Sequence, residues 1–321
     1  MSRKPRKSAP TAAGVDRPSP IAPLVAGFAA RRPPRTGSLI VTIFGDAVMP
    51  RGGGLLLSGL IELLGQFGIN ESQIRTALSR LVAEGWFESR RVGRRSFYRL
   101  TESAERRLEE GTRRIYFGPR QDWDGGWTVV ALATMAEARR ERMREDLDWL
   151  GFGSLGPGVF LHPSPDRAAL AALVDGLPPA DRPLVVEGGP RADLSPEAAA
   201  ALVAAGWNFA ALATEYRRFC ARFAPLGAAL ERRWSPEPLE ALLARQILVQ
   251  DYHRIVLRDP LLPPALHKDA WIGHEAYALA RRIYRGVVGP SETWIDRHFS
   301  DLDGPLPKPG PAFSARFAEP I

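Results

Sequence analysis

Residues 75–99 carry seven arginines (Arg75, Arg80, Arg90, Arg91, Arg94, Arg95 and Arg99) against two acids, Glu84 and Glu88. Each guanidinium presents a planar fork of donors that suits phosphate oxygens and guanine edges. Thr76 and Ser79 lie among them and add hydroxyls of the kind that contact backbone or bases. The chemistry implied is non-covalent: neutralisation of a polyanion and reading of its edges. Two elements must position these groups. Asn70, with Gln73 three residues on, reads as a capping box opening a helix. Ile74, Ala77, Leu78, Leu81 and Val82 form its apolar stripe, and Ser72, Arg75, Thr76, Ser79 and Arg80 take the opposite face. Gly85 stops the helix, and Phe87 to Tyr98 reads as two strands turning at Val92-Gly93-Arg94-Arg95. The pattern predicts a recognition helix beside a basic wing, with Arg75, Thr76, Ser79, Arg80, Arg91, Arg94 and Arg95 as DNA-contacting candidates. Arg94 and Arg95 at the wing tip suit the minor groove, where positive charge is attracted. The competing reading is a helix–hairpin with a solvated basic face. The concentration of arginine where groove contacts would fall favours DNA.

The 321 residues suffice for two or three domains, with 45% apolar and 25% charged residues, an ordinary globular balance. Net charge is +7. Residues 1–37 hold eight basic residues, including Arg3, Lys4, Arg6 and Lys7, against Asp16 alone. That segment accounts for the whole excess, so the total charge says little and the local arginine cluster says more. Cys220 is the only cysteine, which excludes an internal disulfide and a cysteine-rich metal site and fits a cytoplasmic location. The apolar run Ile21–Ala30 is broken by Pro23 and Gly27 and argues against a secretory signal, and no stretch approaches the length of a membrane span.

Along the chain, residues 1–37, with seven prolines, read as a disordered basic tail. Residues 38–100 read as the DNA-binding domain: a helix from Ser38 to Met49 with Ser38 as cap, a break at Pro50-Arg51-Gly52-Gly53, a second helix Leu55–Phe67, then the recognition helix and wing. Residues 101–122 read as a charged linker helix capped by Thr101. Residues 123–190 follow the order βαββαβ, a ferredoxin-like unit. Residues 191–321 read as helical to about Gly289, in segments 195–206, 208–223, 225–233, 237–257 and 269–288. The fold class expected is therefore α+β: a winged helix-turn-helix, a ferredoxin-like middle domain and an all-helical C-terminal domain.

Several long segments resemble the PaaX family, bacterial repressors of phenylacetic acid catabolism. In the first region these are SLIVTIFGDAVMPRGG, RTALSRLVAEGW and RVGRRSFYRL. IYFGPRQDWDGGW and GFGSLGPGVFLHPSP follow in the middle, and YHRIVLRDPLLPPALHKDAWIGHEAYALARRIYRGV in the C-terminal part. The likeness covers roughly residues 38–315. It implies a homodimeric repressor of operator DNA, released by phenylacetyl-CoA, with no cofactor. The long basic tail departs from the family pattern and leaves room for extra nonspecific DNA affinity.

Other constellations are weaker. Trp123-Asp124-Gly125-Gly126-Trp127 reads better as a hinge with tryptophans packing a domain interface than as a ligand platform. His162 and His253 stand apart from other ligating types, so no metal is expected. At the facing ends of two C-terminal helices, Arg254, Arg258, Trp271 and His274 offer cations and an apolar surface for an aryl-CoA effector. A helix–helix core with capping charges explains the same residues equally well. No GxSxG, Walker loop or HExxH is present, so an enzyme is not expected. The rival functions are a CoA-ester-handling enzyme, such as a thioesterase, carrying a regulatory winged domain, and a DNA-architectural protein without an effector.

Overall fold

The computed structural model describes residues 19–31, 36–118, 123–133, 135–188, 195–267 and 271–318. Its first element corrects the expectation of a disordered tail over residues 1–37. Ala22–Ala29 forms helix α1, with Leu24 and Phe28 buried. Phe28 meets Phe67 at 5.2 Å between ring centroids, and Arg31 holds both carboxylate oxygens of Asp251 at 2.7 and 2.8 Å. The short run that is too broken for a signal is an amphipathic helix with a core to dock on. Residues 1–18 and 32–35 lie outside the described residues, and with them the rest of that expectation.

Helix α2 (Thr36–Ile43) runs on through a π-helical turn, Phe44–Val48, and a 3-10 turn, Met49–Arg51. It starts before Ser38, so Ser38 is not its cap; the hydroxyl instead accepts from Gln250 Nε2 at 2.7 Å. Gly52 and Gly53, at φ +99° and +74°, end the run in a conformation that L side chains avoid. Strand β1 (Gly54–Leu56), helix α3 (Leu57–Gly65), helix α4 (Glu71–Ala83) and strands β2 (Phe87–Val92) and β3 (Arg95–Leu100) follow. The strands form one antiparallel sheet in the order β1-β3-β2. Helix α5 (Glu102–Phe117) is capped by Thr101, whose hydroxyl accepts from the Ala104 amide at 3.2 Å and donates to the Gly85 carbonyl at 2.7 Å.

The middle unit runs β4 (Trp127–Ala131), α6 (Glu137–Trp149), β5 (Gly153–Gly156), β6 (Val159–His162), α7 (Arg167–Asp175) and β7 (Leu184–Gly188). Its sheet has the order β5-β6-β4-β7 with every neighbour antiparallel. Asp166 caps α7 by accepting from the amides of Ala168 and Ala169. Val130, Met143, Leu147, Phe152 and Phe160 give this unit a core of its own. Trp123 and Trp127 meet edge to face at 5.8 Å and pack with Val203, Leu262 and Leu266 from the C-terminal part. The tryptophans therefore sit at an interface between regions.

The C-terminal region comprises α8 (Pro196–Gly206), α9 (Phe209–Glu231), α10 (Pro238–Val256) and α11 (Ile272–His298). Helices α9 and α11 continue through Pro225 and Pro290, where the sequence suggests breaks near 224 and 289. Each proline removes one intrahelical hydrogen bond. The buried faces on either side, with Phe223 and Leu226 in α9 and Val287 and Trp294 in α11, keep the axis going. Every residue of α10 from Ala241 to Gln250 is buried, so it is a core helix and not an amphipathic one. The core around it includes Leu39, Ile40 and Phe44 from α2 and its π turn, together with Leu242, Leu248 and Ile283. The expected boundary between residues 38–100 and the C-terminal region is thus not a boundary of the core: those two regions share one.

Candidate nucleic-acid interface

Helix α4 owes its start to Asn70 and Gln73, which cap each other reciprocally at 2.9 and 3.0 Å. Ile74, Leu78 and Leu81 bury one face, which leaves Arg75, Thr76, Ser79 and Arg80 together on the exposed one. Arg75 is held by Glu71 at 2.6 Å and Arg80 by Glu84 at 3.3 Å, both i,i+4 pairs. The two arginine side chains are 52% and 68% exposed. Pairs this solvated contribute between about zero and 1 kcal/mol, so a phosphate can replace the carboxylate at little cost. The glutamates orient the forks before any partner arrives. Arg80 also lies against α2: a Cβ added to Gly37 would stand 3.0 Å from its Nη2.

The hairpin β2–β3 closes through a two-residue turn, Gly93-Arg94, with Val92 opposite Arg95. Gly93 takes φ +60°, as the first position of such a turn requires. Arg91 donates through Nε to the Gly93 carbonyl at 3.3 Å and steadies the tip. Arg94 and Arg95 are exposed there. Arg90 and Arg99 are exposed on the same hairpin and extend the basic surface beyond the seven residues read from sequence. Their signal was present in the arginine count; the register, with Glu88 opposite Arg99, is what sorts them.

Behind this surface lies a polar hub that sequence reasoning missed. Asp46, in the π turn, is fully buried and accepts on Oδ1 from Tyr116 at 2.7 Å and Tyr284 at 3.0 Å. Its Oδ2 accepts from Arg245 Nε at 2.6 Å and Gln246 Nε2 at 2.9 Å. Arg316 donates to the carbonyls of Asp46 and Gly45 at 2.7 and 3.1 Å. Arg245 also reaches Ser291 at 3.0 Å and Glu292 at 2.5 Å, and Glu292 pairs with Arg51. Burial works to raise the Asp46 pKa, but Arg245 and Arg316 outweigh it and the carboxyl stays below its ordinary value. Burial and the Asp46 charge push Tyr116 well up, so it remains a donor. One carboxylate thereby joins the first region, α5, α10, α11 and the C-terminal segment.

The four effector candidates do not come together. Trp271 and His274 do: Trp271 Nε1 donates to Asp259 Oδ2 at 3.3 Å, Tyr216 donates to the same oxygen at 2.8 Å, and the His267 ring stacks on Trp271. The space among them is about 10 Å³, too little for an acyl group. Arg258 is exposed and paired with Glu215, and its Nε donates to the Arg254 carbonyl at 2.9 Å. The facing helix ends are a packed polar cluster, with the two arginines outside it. Burial pushes the Cys220 thiol up to about 11, with the Glu275 charge adding to it, so it is a packing group and no nucleophile.

An α+β chain with a capped, arginine-bearing helix beside a basic hairpin, on a core shared with a helical region, has the makings of a DNA-binding regulator. Comparison with known proteins agrees. Residues 35–104 match the model of the PaaX-like protein family, residues 120–199 that of the PaaX protein central Cas2-like domain, and residues 207–297 that of the PaaX-like protein C-terminal domain. The chain is 33% identical over 281 residues to the transcriptional repressor PaaX of Escherichia coli (strain K12), covering 87% of this chain and 89% of that one. Among solved structures it is similar to the uncharacterized protein Rv0674 from Mycobacterium tuberculosis, at 19% identity and a TM-score of 0.49 over 80% of this chain and 97% of that one. The chain belongs to the PaaX family.

Proposed function

We propose that this protein is a cytoplasmic transcriptional repressor of phenylacetic acid catabolic genes and not an enzyme. It acts as a homodimer on operator DNA and is released by phenylacetyl-CoA. The exposed arginine face of α4 beside the Arg94-Arg95 hairpin tip carries this reading. The order helix, strand, helix, helix, strand, strand over residues 36–100, with sheet order β1-β3-β2, supports a winged helix-turn-helix with α4 as recognition helix. The order βαββαβ with alternating antiparallel neighbours supports a ferredoxin-like middle domain. The name of the relative, a transcriptional repressor, supports the regulatory role. Among the described residues no single helix is long and apolar enough to cross a membrane. Twofold symmetry would place two copies of α4 in successive major grooves about 34 Å apart.

A mobility-shift titration tests this with the DNA upstream of the gene, a random duplex of equal length, and additions of phenylacetyl-CoA or phenylacetate. The expected result is preference for the upstream DNA and release by the CoA ester alone. Equal affinity for both duplexes would indicate an architectural protein, and hydrolysis of the ester an enzyme.

A further inference from the structure

A cavity of about 640 Å³ lies where the first region, α5, the end of α6 and the end of α10 meet, and no part of the DNA surface or the Asp259 cluster uses it. Its volume falls within the range of small-molecule sites. The walls are mainly apolar: Val41 from α2, Leu108 and Ile115 from α5, Leu257 after α10, and the indoles of Trp86 and Trp149. Its polar groups are already committed or placed at the rim. The Thr42 hydroxyl donates to Gln250 at 2.6 Å, and the Asp46 carboxylate belongs to the buried hub. His253 donates through Nδ1 to the Val249 carbonyl at 3.0 Å, which leaves Nε2 as an acceptor. Burial keeps that imidazole neutral by lowering its pKa. The charged groups at its exposed edge are Arg107, 5.8 Å from the Trp86 ring, and Glu110.

This arrangement selects a chemistry. An aromatic ring finds stacking partners and a dry wall. A carboxylate one carbon from that ring would lose its hydration among apolar walls beside a neutral histidine, with Arg245 and Arg316 already committed to Asp46 and Arg107 out at the exposed edge. A neutral thioester at the same depth meets no such penalty, and its phosphates remain outside, on the Arg107 side. The geometry points to this junction cavity as the effector site, one that accepts the aryl-acyl end of a neutral conjugate and rejects the free aryl acid. The inference rests on the reading of the chain as a ligand-released repressor, and moves its ligand away from the helix ends at Asp259. The route to the DNA surface is short. Trp86 follows Gly85, which ends α4, and precedes β2; the Trp86 carbonyl accepts from the Thr101 amide at 3.1 Å, at the cap of α5. A ligand between Trp86 and α5 bears on the joint that sets α4 against the hairpin, and shifts the population of the two arrangements if it fits one better.

The test is calorimetry on the full chain with phenylacetyl-CoA, phenylacetate and CoA, alongside mobility shifts with upstream DNA. Gly111 lines the cavity, and a Cβ there would meet only Leu257 Cδ2, at 3.9 Å, so Gly111→Phe fills the space without a backbone clash. Trp149, 46% exposed at the edge, provides a second variant, Trp149→Ala, that leaves the core intact. Wild type should bind the ester and neither the acid nor CoA alone with comparable strength. Gly111→Phe should lose about tenfold or more in ester affinity, and Trp149→Ala severalfold, with upstream DNA still held. If both variants bind the ester as wild type does, or the free acid binds equally well, the cavity assignment falls while the repressor reading stands. If wild type ignores upstream DNA, the repressor reading falls, yet loss of the ester in Gly111→Phe still places the ligand here. Should Gly111→Phe not fold, Trp149→Ala decides.

Discussion

Arg75 and Arg80 are each held by a glutamate one turn away on their own helix. Because each is solvent-exposed and its own-helix pair is weak, replacing either should leave stability nearly unchanged. Arg75→Ala and Arg80→Ala should each weaken specific operator binding by about 1–3 kcal/mol. Mobility-shift titration measures this, and full affinity in both variants would remove α4 from the interface. Asp46 behaves in the opposite way. Asp46→Asn leaves Arg245 and Arg316 buried without their carboxylate, a loss on the order of 3 kcal/mol in unfolding free energy. The pH dependence has a definite sign. The folded-state pKa is depressed, so the contribution is full above the unfolded value near 3.8 and vanishes as pH falls through the folded one. Denaturant unfolding of wild type and variant should therefore differ by a constant amount from neutral pH down to roughly pH 5 and converge in stronger acid. A gap that closes at neutral pH would contradict this.

At the scale of elements, the proposed function has the hairpin and α4 divide the work of contacting DNA. The hairpin tip is two residues wide and carries Arg94 and Arg95 with no apolar group between them, which suits phosphate and minor-groove binding more than base reading. Replacing both by Ala should lower affinity for specific and random duplexes alike. It should also flatten the dependence of log K on log salt, by about 0.9 for each phosphate no longer neutralised. Titrations at several salt concentrations check the slope; a loss confined to one operator base pair would mean that the wing reads sequence. Strand β1 gives the same hairpin its footing. Gly54 stands where a Cβ would come within 2.4 Å of the Phe97 ring, so that ring lies over the start of β1 only because the position is glycine.

The whole molecule is organised around α10. Helix α2 packs on it, α5 and α11 close the hub, and the middle sheet keeps a core of its own. A fragment of residues 120–321 loses Leu39, Ile40, Phe44 and Asp46 from that core and exposes α10 on the side they covered. It should fail to give a cooperative thermal transition by circular dichroism, although a domain reading of the sequence suggests a free-standing unit. A native-like transition in the fragment would show that the shared core is dispensable. The same arrangement gives the junction cavity and the arginine face of α4 a common support, since a shift of α5 or α10 is felt by α2 and α4 through close packing.

Local chemistry made much of this protein legible from its residues. The Asn70–Gln73 box, the Ile74–Leu78–Leu81 stripe and the Gly93-Arg94 turn each act over a few positions, so α4 and its hairpin could be read directly with their arginines. The order of the middle strands was equally readable, because alternation and turn residues are local signals. What stayed hidden depends on partners far along the chain. Ala22–Ala29 looks like a tail until Phe67 meets Phe28 and Asp251 of α10 holds Arg31, and Gly54–Leu56 merges into a helical run until β3 supplies its hydrogen bonds. Asp46 reads as one acid in an apolar helix, since Arg245, Tyr284 and Arg316 lie some 200 or more residues away. The grouping of Arg254, Arg258, Trp271 and His274 is of the same kind: they are close in sequence, but helix phase turns the arginines to solvent and the rings into a packed cluster. Hydrogen-bond satisfaction and close packing act between residues that only the tertiary fold brings together, and they decided where this chain keeps its one shared core and the cavity beside it.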